Sequence, residues 1–247
     1  MVKQLIVSFL FLHLFFYTTL GQAPKEYNQA VVMAHTADSL LRHGEVNRAD
    51  SLINISIKLY PTLAIYDYAL TKAEMNDIRG ANLVMDRARV KVLTYTIKNT
   101  YLWIDLPYNG LRECGAHYAY FGFLLKMYEV NKAYGERFWM EYALMEAGKV
   151  AFGPLNPGGY DYYIAMQQVL KADLLVLKKN YMGAIQNIQM APPNSVFANP
   201  VAKAQALIPI LCELGDYNSA AFQVRALGYD PSQKMHSNPG YFISIPY

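Results

Sequence analysis

Gly44-Glu45-Val46-Asn47-Arg48-Ala49-Asp50-Ser51-Leu52-Ile53 carries the spacing that decides the fold of this chain. A turn residue, Gly44, is followed by an apolar residue two positions on, Val46, an alanine five on, Ala49, and another apolar residue nine on, Ile53. The same spacing returns as Asn76, Ile78, Ala81, Met85; as Lys179, Tyr181, Ala184, Ile188; and as Gly215, Tyr217, Ala220, Val224. The turn residue ends one helix, the apolar residue seeds the next, and the alanine lets the two helices approach closely. The last apolar side chain fills the space behind it. Such recurrence is the signature of stacked helical hairpins and points to a binding scaffold before a catalyst.

Around Gly44, a small residue precedes the turn as Ala37, another follows in the second helix as Ser56, and Pro61 closes the unit. The second copy keeps Ala69 and Ala88 but has Leu93 in place of the proline, and the third keeps Ala172 and Ala191 and closes early on Pro192-Pro193. In the fourth, Glu-Leu-Gly-Asp-Tyr precedes Ala220, while Ile208 and Leu227 replace the small residues. These residues resemble the tetratricopeptide repeat, a family of antiparallel helix pairs that stack into a right-handed superhelix and usually bind proteins or peptides. Gly44 to Asn76 and Lys179 to Gly215 are both close to its period of roughly 34 residues. The resemblance covers somewhat over half the chain, and the stretch from about Lys98 to Tyr160 has no copy. It implies an all-α fold, an α-α superhelix with a degenerate central hairpin, and about ten to twelve helices.

In that family the first helix of each hairpin lines the concave face. Carrying the turn-relative spacing onto this chain places Asp38 and Leu41, Tyr66 and Leu70, Val169 and Asp173, and Gln205 and Pro209 there as partner-binding candidates. The set holds no Lys or Arg, so the resemblance implies an apolar and aromatic groove suited to a hydrophobic segment of a partner or to the chain's own tail.

Residues Leu5 to Leu20 form an apolar run after Lys3 and close on Thr19-Leu20-Gly21-Gln22-Ala23. One positive charge, an apolar core and small residues at alternate positions predict a secretory signal peptide over 1–21, cut after Gly21 or Ala23. The alternative is a retained anchor, for which the run is slightly short. With the leader gone, the membrane is met only in transit and the product is periplasmic or secreted. The helical-repeat domain then spans 24–228. Residues 229–247, ending Tyr241-Phe-Ile-Ser-Ile-Pro-Tyr, form a tail too apolar to be loose, and a solenoid end needs covering.

Charged residues are only 17% of the chain, aromatics are 14%, and the net charge is +3, so the composition shows no disordered signature. So weak and scattered a positive charge argues against nucleic acid as a partner. Cys114 and Cys212 read either as a disulfide, which an oxidising compartment permits, or as two buried small hydrophobes.

Between the copies, Tyr101-Leu102-Trp103-Ile104 reads as a short extended piece or a helix end, and Asn109-Gly110 as a turn. This insertion either serves binding or plugs two hairpins together. An apolar helix from Cys114 to about Asn131 and a partner from Glu136 to Val150 form the central hairpin, and Phe152 to Gly159 is a loop.

Catalytic constellations are missing from the sequence. His35, His43, His117 and His236 lack the spacing that puts two metal ligands on one helical face, and Gly158-Gly159 lacks the lysine and hydroxyl of a phosphate loop. Glu141, Glu146 and Asp105 form no specific acid pair. The reading is a non-enzymatic scaffold for a protein or peptide partner, without cofactor or metal. The alternative is a carbohydrate-binding or glycan-uptake accessory, motivated by twenty-one tyrosines and by Trp103 and Trp139.

Overall fold

The computed structural model describes residues 23–106, 110–152, 159–191, 193 and 196–228. The expected signal peptide, the 229–247 tail, most of the Phe152 to Gly159 loop and the residues joining Leu106 to Gly110 lie outside the described residues. Among the described residues the chain is mostly helical, with ten α-helices and one two-stranded sheet. It divides into two compact units, the first ending at Lys126 and the second beginning at Met127.

The first unit holds α1 (Lys25–Arg42), α2 (Val46–Leu59), α3 (Ala64–Glu74), α4 (Ile78–Ile97), β1 (Tyr101–Leu106), β2 (Gly110–Gly115) and the start of α5 (Ala116–Tyr134). α1 packs along both α2 and α3, and α3 packs on α4. The alanines explain the closeness of these contacts. Ala37, Ala49, Ala69, Ala81 and Ala88 are all fully buried, and the Ser56 hydroxyl donates to the Ala30 carbonyl at 2.8 Å across α1 and α2.

The insertion is a β-hairpin. β1 and β2 pair antiparallel with Leu102 opposite Cys114 and Trp103 opposite Glu113. Leu102, Ile104 and Cys114 are buried while Tyr101, Asp105 and Glu113 are exposed, the alternation of a half-buried strand. Tyr60, at the end of α2, accepts the Trp103 backbone N–H at 2.7 Å, which fastens the hairpin to the α2–α3 junction. The expected helix over Cys114 to Asn131 is therefore corrected at its start: Cys114 is a strand residue, and the helix opens at Ala116. Strand pairing satisfies the backbone of this segment before the helix takes over.

The second unit holds the rest of α5, α6 (Arg137–Lys149), α7 (Gly159–Leu177), α8 (Tyr181–Gln189), a short 3-10 turn at Val196–Ala198, α9 (Pro200–Glu213) and α10 (Tyr217–Ala226). α6 packs on α7, α7 on α8, α8 on α9 and α9 on α10. Ala184, Ile188, Leu207, Ile210 and Ala220 form its core, with Phe197 of the 3-10 turn inserted among them. Cys212 is exposed on α9, in contrast to buried Cys114 of the first unit.

One backbone device repeats through both units. Gly44, Asn76, Lys179 and Gly215 all adopt left-handed backbone, with φ of 80°, 65°, 57° and 75°. Gly135, at φ 72°, is a fifth such residue between two helices. At each, the next residue's N–H bonds back to a carbonyl five positions earlier: Glu45 to Leu40, Asp77 to Lys72, Glu136 to Asn131, Asn180 to Leu175 and Asp216 to Leu211, at 2.8–2.9 Å. This ties off the orphan carbonyls of the finished helix. Asp77, Asn180 and Asp216 then cap the next helix by accepting the N–H of Gly80, Gly183 and Ser219. The central hairpin thus has the same turn as the others. Relative to Gly135, the apolar position is Arg137, the alanine position is Met140 and the final position is Leu144.

Candidate functional site

In the first unit, α1 and α3 bring Asp38, Tyr66 and Leu70 to partly exposed positions, whereas Leu41 is only 2% exposed. Leu41 is a core residue and presents no surface, because its side of α1 is the one that packs. Asp38 accepts from Arg42 Nε at 3.0 Å and from the Thr71 hydroxyl, and Arg42 also donates to Thr71 Oγ1 at 2.5 Å and pairs with Glu74 at 3.7 Å. His35 Nδ1 lies 4.0 Å from Asp67, and burial pushes the Asp67 carboxyl above the usual carboxylate range. The ammonium of Lys126 sits 5.1 Å from the centre of the Tyr66 ring.

A second cluster in this unit lies deeper. Lys72 of α3, 7% exposed at its side chain, contacts Asp77 at 2.7 Å and Asp50 of α2 at 3.2 Å, and the Tyr68 hydroxyl donates to Asp50 at 2.5 Å. Burial alone would lower the Lys72 pKa, but the two carboxylates outweigh it and hold the ammonium charged. Burial likewise opposes ionisation of Asp77, and the bonds from Lys72 and the Gly80 N–H prevail, holding its carboxyl below the usual range.

In the second unit, Val169 packs against the core, while Gln205 and Pro209 are half-buried on α9. Pro209 sits inside a helix, where it supplies no N–H to the ladder. Asp173 of α7 is the member of the set with a built environment. Its side chain is 12% exposed, its Oδ2 accepts the Tyr128 hydroxyl at 2.5 Å, and Lys132 Nζ lies 3.7 Å away. Burial pushes the Asp173 carboxyl up, against the pull of Lys132 and Tyr128, and it pushes the Tyr128 phenol up as well.

Beside Asp173 opens a cavity of about 460 Å³. Tyr128 and Lys132 of α5, Met140 and Leu144 of α6, and Val176 and Leu177 of α7 supply much of its wall. Arg137, Lys179, Tyr181 and Glu213 complete the lining. Of these, the sequence points to Lys179 and Tyr181 only as a turn residue and a helix seed. Lys132 and Arg137 lie in the stretch without a copy, and Lys132 carries no signal that separates it from any helical lysine.

The eight candidates contain no cation, yet Arg42 covers Asp38, Lys126 covers Tyr66 and Lys132 covers Asp173. The expectation of apolar, non-basic surroundings is therefore corrected. Arg42 stands one helical turn beyond Asp38, a relation visible in the sequence; the two lysines come from α5.

Glu141 pairs with Lys178 at 3.4 Å, Glu146 with Lys149 at 2.6 Å, and the His43 Nδ1 meets the Ser39 carbonyl at 2.7 Å. Among the described residues no group of three or more His, Cys, Asp or Glu side chains is placed to hold a metal ion. No described helix is long and apolar enough to cross a membrane. Comparison with known proteins gives no match, whether to family models, to curated proteins or to solved structures.

Proposed function

We propose that this chain is an exported, non-enzymatic helical-repeat scaffold that holds a protein or peptide partner outside the cytoplasm. In this reading its hairpins stack as a tetratricopeptide-like superhelix, and Asp38, Tyr66, Leu70, Asp173 and Gln205 mark the partner-facing side. The observation that carries it is the fivefold recurrence, between one helix and the next, of one left-handed turn with one backward hydrogen bond, from Gly44 to Gly215; the same turn also ends α4 at Asn99, before the β-hairpin. A catalyst needs one specialised cleft; a recurring hairpin instead multiplies similar surface, as a scaffold for an extended partner requires. Export rests on the apolar leader read from the sequence.

The carbohydrate alternative calls for coplanar exposed rings on which a sugar can lie. Phe138, 70% exposed, Trp139 and Tyr142 do cluster on α6, but the ring planes meet at 81° and 86°. Edge-to-face rings pack on one another and offer no flat platform.

The test is affinity capture of the tagged chain from its own envelope fraction, alongside Tyr66→Glu and Gln205→Glu variants. The reading expects one stoichiometric protein, lost from the variants while their melting temperatures stay unchanged. Retention of polysaccharide alone, or capture indifferent to both substitutions, would sink it.

A further inference from the structure

The hairpin that departs from the repeat rule is the one that lines the cavity of the second unit. At the two positions after the turn where the other four hairpins carry an apolar residue and an alanine, this one carries Arg137 and Met140, and both face that cavity. Departures from a locally consistent pattern concentrate where function competes with packing.

Two cations at the cavity have no carboxylate of their own. The guanidinium of Arg137 makes one hydrogen bond, from Nη2 to the Leu177 carbonyl at 2.9 Å, and among the described residues no carboxylate lies within ion-pair distance of it. Arg137 is exposed, and a guanidinium has five donors in a fixed fork, so most of this group's donors meet water and are open to a ligand. Lys179 is likewise without an ion pair among the described residues, and it stands at φ 57° where the other hairpin turns use glycine or asparagine. Lys179 is exposed at the cavity, in a backbone conformation that a lysine adopts only at some cost. Lys132 is already matched by Asp173. Glu213, exposed on the rim, opposes one of the two remaining charges and leaves the opening net positive.

The wall behind these cations is apolar: Met140 and Leu144 are buried, and Val176, Leu177 and the Tyr181 ring continue the surface. At about 460 Å³ the space falls within the range of small-molecule sites. From this combination we infer that the second unit binds a small organic anion with an apolar or aromatic body, its acid group held by Arg137 and Lys179. This site goes beyond the scaffold role and does not depend on it.

The test uses the purified full-length chain and two fluorescent probes of one shape, anilinonaphthalene sulfonate and the neutral phenylnaphthylamine. The inference expects saturable binding of one sulfonate per chain, at least about tenfold tighter than the neutral probe, because only the sulfonate can use the two cations. Arg137→Gln and Lys179→Gly should each remove most of that preference. Lys179→Gly suits the local backbone better than lysine, so its loss of binding cannot be laid to unfolding. Equal affinity for the two probes, no saturable binding, or a sulfonate affinity unchanged in both variants would overturn the inference.

Discussion

Each unit keeps a charged side chain out of water, and the two do it differently. In the first, Lys72 is enclosed by Asp50, Asp77 and Tyr68, with two carboxylates meeting one ammonium. In the second, Asp173 has one hydroxyl and one ammonium on the same oxygen, and open space beside it. The first arrangement uses its charges to join α2, α3 and the turn before α4; such a cluster is structural. The second leaves lining and charge available to a ligand. Burial of a charge therefore does not mark a site by itself; incomplete enclosure does.

The contrast breaks most severely through the small residues. Ala49 stands where α1 and α2 touch, and Ala49→Met should destabilise the first unit by about 3 kcal/mol, since overpacking a tight helix contact displaces backbone. Met140→Ala restores the repeat's alanine where the hairpin has grown around methionine, and should cost about 2 kcal/mol by cavity formation. Urea denaturation measures both. A stabilising Met140→Ala would show that α5 and α6 can close to the usual separation.

Next in size are the charges. Lys72→Met strands two half-exposed carboxylates and should cost about 2 kcal/mol, less than a fully buried pair because water reaches both. Asp173→Asn keeps an acceptor for Tyr128 and should cost under about 1 kcal/mol. Equal losses would erase the distinction drawn between the clusters.

Acid should separate the units by sign. The Asp77 carboxyl is depressed in the folded protein, so its contribution is present above the unfolded value of about 3.9 and fades as pH falls below it toward the folded pKa. The Asp173 carboxyl is raised, so the folded state holds the proton more tightly than the unfolded chain. Its contribution therefore diminishes as pH rises from about 3.9 through the higher folded value. Asp173→Asn should accordingly gain on the parent as pH increases through that window, while Asp77→Asn should lose on the parent as pH rises toward about 3.9 from below and hold a constant deficit above it. Denaturation profiles of both variants with the same pH trend would contradict this.

The smallest effect concerns the turn. Lys179→Gly should stabilise by about 0.5–1 kcal/mol by relieving left-handed strain, whereas Gly135→Ala should destabilise by a similar amount. Thermal melts resolve both.

The repeats were legible because spacing, turn residue and alanine agree four times over, and each of the four turn residues does stand between two helices. Gly135 escaped that reading because Arg137 and Met140 replace the residues that identify a copy. The β-hairpin was legible in part: the extended alternative for Tyr101 to Ile104 is the one the structure adopts, but four apolar residues show no decisive period alone, and only pairing with Glu113 and Cys114 reveals which faces inward. Of the site, Asp173 was reachable by distance from its turn. Tyr128, Lys132 and Arg137 were not, since their meeting with Asp173 depends on packing between hairpins, which one sequence does not encode as spacing.

The scaffold reading is tested most directly by photo-crosslinking in the native envelope, with a photoreactive residue placed in turn at Tyr66 on α3, Gln205 on α9, Ile55 on α2 and Phe222 on α10. Ile55 and Phe222 are exposed at 50% and 68%, so they are controls for reach. The account predicts that Tyr66 and Gln205 capture one and the same protein and that Ile55 and Phe222 do not. Equal capture from all four positions, or none from Tyr66 and Gln205, would contradict it.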